Sequence, residues 1–144
     1  MTRARKRFGQ HFLHDPAVIE RIVAAVGVQP GERLVEVGPG RGALTRRLLA
    51  ALAPHGGHGS LDAIEIDRDL AAVLGDALAG AAGFTLHTAD ALKFDFSALA
   101  RARGGRLRVL GNLPYNISTP LLFRLLAQRE AITDMHVMLQ REVV

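Results

Sequence analysis

The sequence predicts an α/β fold of the doubly wound, Rossmann-like kind. Three observations carry that expectation. Short apolar runs of strand length alternate with longer runs whose apolar residues recur at helical spacing. A glycine turn, Gly38-Pro39-Gly40-Arg41-Gly42, closes the first apolar run and opens a helix, and an acid, Glu65, ends the second run. Strands alternating with helices imply right-handed crossovers and a parallel sheet covered on both faces.

The elements follow in order. Asp15 is placed to cap a helix with Pro16 in its first turn; Ile19, Ile22, Val23 and Val26 fall on one face, and the helix ends near Gly27. Leu34 to Val37 is the first strand, and Ala43 through Leu44, Leu48, Leu49 and Leu52 the second helix. Gly56 to Gly59 is loop. Ala63 to Ile66 is the second strand, Leu70, Val73, Leu74 and Leu78 mark a helix, and Phe84 to His87 is the third strand. A loop holding Asp90, Asp95 and Ser97 precedes a fourth strand at Leu107 to Leu110. Pro120 to Gln128 is a helix with Leu121, Leu122, Leu125 and Leu126 as its apolar face, and Met135 to Leu139 is the fifth strand. No internal repeat or low-complexity tract interrupts this pattern.

The chain has 144 residues, 49% of them hydrophobic and 22% charged, which suits one globular domain with a core rather than a disordered or fibrous chain. No apolar run approaches the roughly 18 residues of a membrane span. The basic start is followed by Phe8-Gly9-Gln10-His11 and not by an apolar signal core, so the expected location is cytoplasmic with no membrane partner. With no cysteine there is no disulfide framework and no thiolate nucleophile, and His14, His55, His58, His87 and His136 show no metal-site spacing. The expected organisation is a basic N-terminal arm over 1–14 and a partial Rossmann-like domain over 15–144. Four of the first seven residues are Arg or Lys, a density that suits phosphate contacts as well as it suits a solvated terminus, and the net charge of +4 nudges toward a polyanionic partner.

In an open parallel sheet, ligands bind beyond the carboxyl ends of the strands where strand order reverses. Gly38, Gly40 and Gly42 follow the first strand and open a helix; lacking β-carbons, they are expected to let free backbone N–H groups and the helix N-terminus face the polar tail of a ligand. Glu65 is placed to accept both hydroxyls of a ribose, and Asp90, after the third strand, to accept from the amino group of an adenine. This set serves a nicotinamide dinucleotide or S-adenosyl-L-methionine equally, although the G-x-x-G half of the dinucleotide fingerprint is lacking. Asn112-Leu113-Pro114-Tyr115 decides between them. The Asn112 amide oxygen and the Leu113 carbonyl can accept the two hydrogens of an exocyclic amino group, which localises its lone pair toward an electrophilic methyl. Pro114 stiffens the backbone, and Tyr115 can stack on a base swung out of its helix. The residues therefore predict an adenine N-methyltransferase.

These segments carry a resemblance to the bacterial small-subunit ribosomal RNA adenine dimethyltransferase family. The matching blocks are Lys6 to Leu13, Val35 to Gly40, Ile64 to Leu70, Ala89 to Asp95 and Asn112 to Leu121. The resemblance implies transfer of two methyl groups from S-adenosyl-L-methionine to each of two adjacent adenosines near the 3′ end of 16S rRNA, with the small-subunit precursor as partner. It implies that the positions of His11, Leu13, Gly38, Glu65, Asp90 and Asn112 line the cofactor pocket, with Gln10 beside them, and that Tyr115 is the base-stacking position. His11 stands where asparagine is common, so a backbone contact survives the difference better than a side-chain one. Phe8 and Phe12 are either a lid over the cofactor or the docking contacts of the arm. The family also continues through a further strand pair and a small helical domain, so the 144-residue chain is expected to keep the cofactor layer but to methylate ribosomal substrate weakly or not at all. The rival readings are a DNA adenine methyltransferase, which more often has Pro where Leu113 stands, a non-catalytic RNA-binding ribosome-assembly module, and a nicotinamide oxidoreductase.

Overall fold

The computed structural model describes residues 15–53 and 59–139. The expected basic arm, with Gln10, His11, Leu13, Phe8 and Phe12, lies outside the described residues, as do His14, His55 and His58.

Helix α1 (Pro16–Val26) starts where Asp15 accepts a hydrogen bond from the Ala17 amide and stops at Gly27, whose left-handed backbone returns its N–H to the Val23 carbonyl. Strand β1 (Arg33–Val37), helix α2 (Ala43–Leu52), strand β2 (Ser60–Glu65), helix α3 (Arg68–Ala77) and strand β3 (Phe84–Thr88) follow. Then come helix α4 (Phe96–Arg103), strand β4 (Leu107–Leu113), helix α5 (Tyr115–Ala127) and strand β5 (Ile132–Leu139). The five strands are all parallel, in the order β3-β2-β1-β4-β5. The chain winds outward from β1 to β3, crosses back and winds the other way through β4 and β5, so the order reverses between β1 and β4.

Period-two alternation along the strands sends apolar side chains to two cores. Val35, Val37, Val109 and Leu113 pack with Phe96 and Leu99 of α4 and Leu121 and Leu125 of α5 on one face. Leu34, Leu61 and Leu110 pack with Ile19 and Val23 of α1 and Leu44 and Leu48 of α2 on the other. Each of these helices buries one stripe at three- and four-residue spacing, and that burial supplies most of the drive for so short a helix.

Four expectations differ from the structure. The segment read as a loop after Asp90 contains helix α4: Asp95 caps it by accepting from the Ala98 amide, Gly104 closes it, and Phe96, Leu99 and Ala100 are buried. Strand β2 starts at Ser60 and stops at Glu65, earlier than expected, and carries Asp62 through the middle of the sheet. Asp62 is 1% exposed and is held by Arg103 at 2.9 and 2.7 Å and by His87 at 2.7 Å. Burial works to raise the Asp62 carboxyl, yet the hydrogen bonds from His87 and Arg103 keep it below the usual carboxylate range. Strand β4 runs on to Leu113, and β5 begins at Ile132, because the two pair along their whole length. Helix α5 starts at Tyr115, not at Pro120, with Pro114 at its N-cap and Pro120 inside its second turn on the exposed side. The donor that Pro120 lacks would have served the Asn116 carbonyl, which water can reach there.

At the opposite end of the sheet from the glycine turn, Arg108 of β4 joins four segments. Its guanidinium donates to Glu32 at 2.9 and 3.1 Å, to Asp134 of β5 at 2.9 to 3.2 Å, and to the Val26 and Gly27 carbonyls at the end of α1. The hydrogen bond from Arg108 holds Asp134 below the usual carboxylate range. A cation against the last carbonyls of a helix also meets the negative end of its dipole.

Candidate functional site

The carboxyl ends of β1, β2, β3 and β4 surround a cleft of about 250 Å3. Gly38, Glu65, Asp90, Leu113 and Pro114 line it, so five of the residues singled out from the sequence share one cavity. Its remaining walls are apolar and include Val37, Ile66, Leu70 and Ile117. Ile66 is exposed at 62% beside the cleft, where β2 has left the sheet. Sequence reading assigned no role to these apolar walls; the signal was an apolar residue directly after the strand-ending acid.

The glycine turn adopts positive φ at Gly38, Gly40 and Gly42, at 72°, 57° and 89°. A β-carbon on Gly42 would in addition run into the Leu74 and Arg46 side chains, so that position is closed to larger residues on two counts. The expected supply of free amides differs in the structure: Gly38 donates to the Ile64 carbonyl at 2.9 Å, Gly42 to the Pro39 carbonyl at 3.0 Å, and Gly40 to Glu65 Oε1 at 3.2 Å. Buried amides need partners, and the turn finds them within the fold. What these three glycines offer is close approach.

Glu65 is buried and does two structural tasks at once, accepting from Gly40 through Oε1 and from the Asp67 amide at 2.9 Å through Oε2. A carboxylate has about four acceptor sites, so this leaves capacity for hydroxyl donors from a ligand. Asp90 caps a short 3-10 turn, Ala91–Lys93, by accepting from the Leu92 amide at 2.9 Å through Oδ1. Asp67 likewise caps α3 through the Asp69 and Leu70 amides.

Asn112 and Tyr115 stand outside the set that lines the cleft. Asn112 is 8% exposed, in register with Met138 and on the sheet face shared by Leu110 and Glu36. Tyr115 is 57% exposed at the first residue of α5. The segment is therefore no mere turn: it is the last pair of strand residues, a proline cap and a helix start, with the Ser118 hydroxyl and the Ile117 and Ser118 amides all donating to the Pro114 carbonyl.

Glu36 lies two residues before the glycine turn, inside the Val35 to Gly40 block, and the structure gives it a role. It is 1% exposed and accepts from the Thr45 hydroxyl at 2.6 Å, tying the end of β1 to α2 across the glycine turn. Burial raises its carboxyl to about 7; the Thr45 hydrogen bond opposes the rise and the nearby Glu65 charge adds to it. Between the ordinary value of 4.5 and about 7 the folded chain keeps a proton that the unfolded chain has released. The Glu36 contribution is therefore full below 4.5 and is lost as pH rises through 7. The expected loss is about 3 kcal/mol across that window, and Glu36→Gln is expected to remove it. Denaturant titrations of both proteins from about pH 5 to 8 check this; equal slopes for parent and variant would count against it.

Among the described residues, no group of three His, Cys, Asp or Glu side chains is arranged to hold a metal ion, and no helix is long and apolar enough to cross a membrane.

A family model described as Ribosomal RNA adenine dimethylase matches residues 1–144. A protein of Pseudomonas fluorescens named Ribosomal RNA small subunit methyltransferase A is 55% identical over 142 residues, covering 99% of this chain and 50% of the relative. The protein of the same name from Methylococcus capsulatus is 59% identical over 140 residues, covering 97% of this chain and 51% of the relative. This chain thus spans about half the length of the curated relatives it matches. Among solved structures, the 23S rRNA methyltransferase ErmE superposes with a TM-score of 0.67 at 28% identity, over 86% of this chain and 46% of that one. A dimethyladenosine transferase from Plasmodium falciparum superposes with a TM-score of 0.69 at 24% identity, over 88% of this chain and 42% of that one, which bears on the fold.

Proposed function

The chain belongs to the ribosomal RNA adenine dimethylase family, and on that premise we propose that it is the cofactor-binding and catalytic layer of a cytoplasmic rRNA adenine dimethyltransferase. Its cofactor is S-adenosyl-L-methionine. Its substrate is a pair of adjacent adenosines near the 3′ end of 16S rRNA, presented by the small-subunit precursor. One observation carries the reading: Leu113 and Pro114, the middle of the segment Asn112-Leu113-Pro114-Tyr115, wall the same cleft as Gly38, Glu65 and Asp90. Family membership favours this over a DNA methyltransferase, an oxidoreductase or a non-catalytic assembly module.

The residues present suit the cofactor. Glu65 retains acceptor capacity for ribose hydroxyls, Asp90 has a second oxygen for an adenine amino group, and the apolar walls fit the flat faces of a purine. Gly38 and Gly40 admit a ligand against the backbone, and Gln10, His11 and Leu13, outside the described residues, complete the cofactor set in this reading. When bound, S-adenosyl-L-methionine supplies an electrophilic methyl on a sulfonium centre. The chain's own task is orientation. Asn112 and the Leu113 carbonyl accept the hydrogens of the target amino group, so that its lone pair leaves conjugation with the ring. Burial of Asn112 lowers the local dielectric, which strengthens those hydrogen bonds. Pro114 holds the Leu113 carbonyl in an extended backbone, and Tyr115, exposed, offers its ring to a base taken out of its stack.

The test is incubation of unmethylated small subunits with isotope-labelled S-adenosyl-L-methionine, followed by mass spectrometry of the RNA. Dimethyladenosine at two adjacent positions is the expected product. Label in DNA instead, or in no nucleic acid even with the full-length protein, would end the proposal.

A further inference from the structure

The turn that carries Asp90 is held by groups from a helix on the other side of the cleft. The chain leaves β3, makes the 3-10 turn Ala91–Lys93 and reverses at Phe94 into α4. Its local fastenings there are short-range: the Lys93 amide donates to the Asp90 carbonyl at 3.0 Å, the Phe94 amide to the Ala91 carbonyl at 3.4 Å, and the Leu92 amide to Asp90 Oδ1 at 2.9 Å. Two side chains, Arg124 in the last turn of α5 and Gln128 at its C-cap, add long-range ones. Arg124 donates to the Phe94 carbonyl through Nη2 at 2.9 Å and through Nε at 3.2 Å. Gln128 donates to the same carbonyl at 3.2 Å and accepts from the Ser97 amide at 3.0 Å. Three donors thus converge on one main-chain oxygen, and the fourth bond catches the first turn of the next helix. Phe94 is further fixed by edge-on contacts of its ring with His87 and Phe96, each at 5.1 Å between centroids.

Helix α5 is also the element that begins with Tyr115, directly after Asn112, Leu113 and Pro114. A planar guanidinium fork defines direction as well as distance, which a flexible ammonium does not. We propose that Arg124 and Gln128 are positioning residues for recognition of the cofactor's adenine: by gripping Phe94 and Ser97 they set where the Asp90 carboxylate stands relative to the base-binding segment. The inference rests on the reading that Asp90 accepts from an adenine amino group. It extends that reading from the residue in contact to the pair that aims it.

The experiment compares two ligands that differ at that amino group, S-adenosylhomocysteine and S-inosylhomocysteine, by calorimetry on the 144-residue chain. The wild type is expected to prefer the adenine ligand. Arg124→Leu is expected to shrink that preference about tenfold, the size of one hydrogen bond to a charged group. Gln128→Glu, which keeps the acceptor for Ser97 but turns an oxygen toward the Phe94 carbonyl, is expected to shrink it as well, and Arg124→Lys to shrink it less. Arg129→Ala, at the start of the 3-10 turn Arg129–Ala131 that follows α5 and bonded to the nearby Leu126 carbonyl, leaves the ratio unchanged. A merely structural role lowers the melting temperature and weakens both ligands alike; an unchanged ratio in folded Arg124→Lys and Gln128→Glu would overturn the inference even where Arg124→Leu fails to fold. A wild type that does not distinguish the ligands, or binds neither, removes the Asp90 reading itself and the inference with it.

Discussion

Asn112→Ala is expected to lower the rate of methyl transfer to adenosine by about 100- to 1,000-fold, the cost of deleting one preorganised polar group aimed at a reacting centre. The reason lies in the substrate. An adenine amino nitrogen is a weak nucleophile because its lone pair is shared with the ring, and a group that grips its hydrogens acts more strongly as the nitrogen pyramidalises. The loss should therefore fall on kcat rather than on KM for RNA. Cofactor affinity should change far less, since Glu65 and Asp90 are untouched. Single-turnover kinetics with saturating cofactor separates these quantities. A variant that loses cofactor binding in proportion to activity would show that Asn112 serves the cofactor pocket alone, and full activity would remove it from the mechanism.

The largest expected effect on stability comes from Arg108→Leu, at about 3 kcal/mol, or roughly a 10 °C fall in melting temperature for a chain of this size. Leucine fills much of the space but leaves Glu32 and Asp134 facing one another without the cation between them, and it removes the Arg108 donors from the Val26 and Gly27 carbonyls, leaving Gly27 only the Gln29 side-chain amide at 3.5 Å. Arg108 is the more buried partner in both ion pairs, with its side chain 13% exposed against 26% for Glu32 and 37% for Asp134. The acids can therefore turn partly to water, which keeps the cost below that of a fully buried pair. Arg108→Lys should recover less than half, because one ammonium cannot serve two carboxylates and a helix end together. Thermal denaturation of the three proteins at neutral pH checks the order; a leucine variant within about 1 °C of the parent would contradict it.

The elements that were legible in the sequence are those whose signals are local. Asp15, Pro16 and Gly27 cap and close α1 using neighbours only a few residues away, and the leucines of α2 mark their own face. Glu65 at the end of β2 and glycines after β1 could be read for the same reason. Helix α4 was legible too, through Asp95, Phe96, Leu99, Ala100 and Gly104, but its single short stripe was outweighed by the polar residues around Asp95 and Ser97. Asp62 was not legible at all. A carboxylate in mid-strand is tolerated only because Arg103, 41 residues on, and His87, 25 residues on, reach it.

The candidate site divides along the same line. Residue types and their order along the chain were enough to nominate Gly38, Glu65, Asp90 and Asn112, because the chemistry of a ribose, an amino group and a close backbone approach restricts which side chains can serve. Their arrangement came from packing: the reversal of strand order between β1 and β4 opens the cleft, the cores on both faces hold its walls, and Glu65 spends part of its carboxylate on Gly40 and Asp67. Local propensity and composition act through neighbours in the chain and so can be read from it. Burial, shared hydrogen bonds and the raised Glu36 carboxyl arise between residues brought together only when the sheet closes, and they exist nowhere before that.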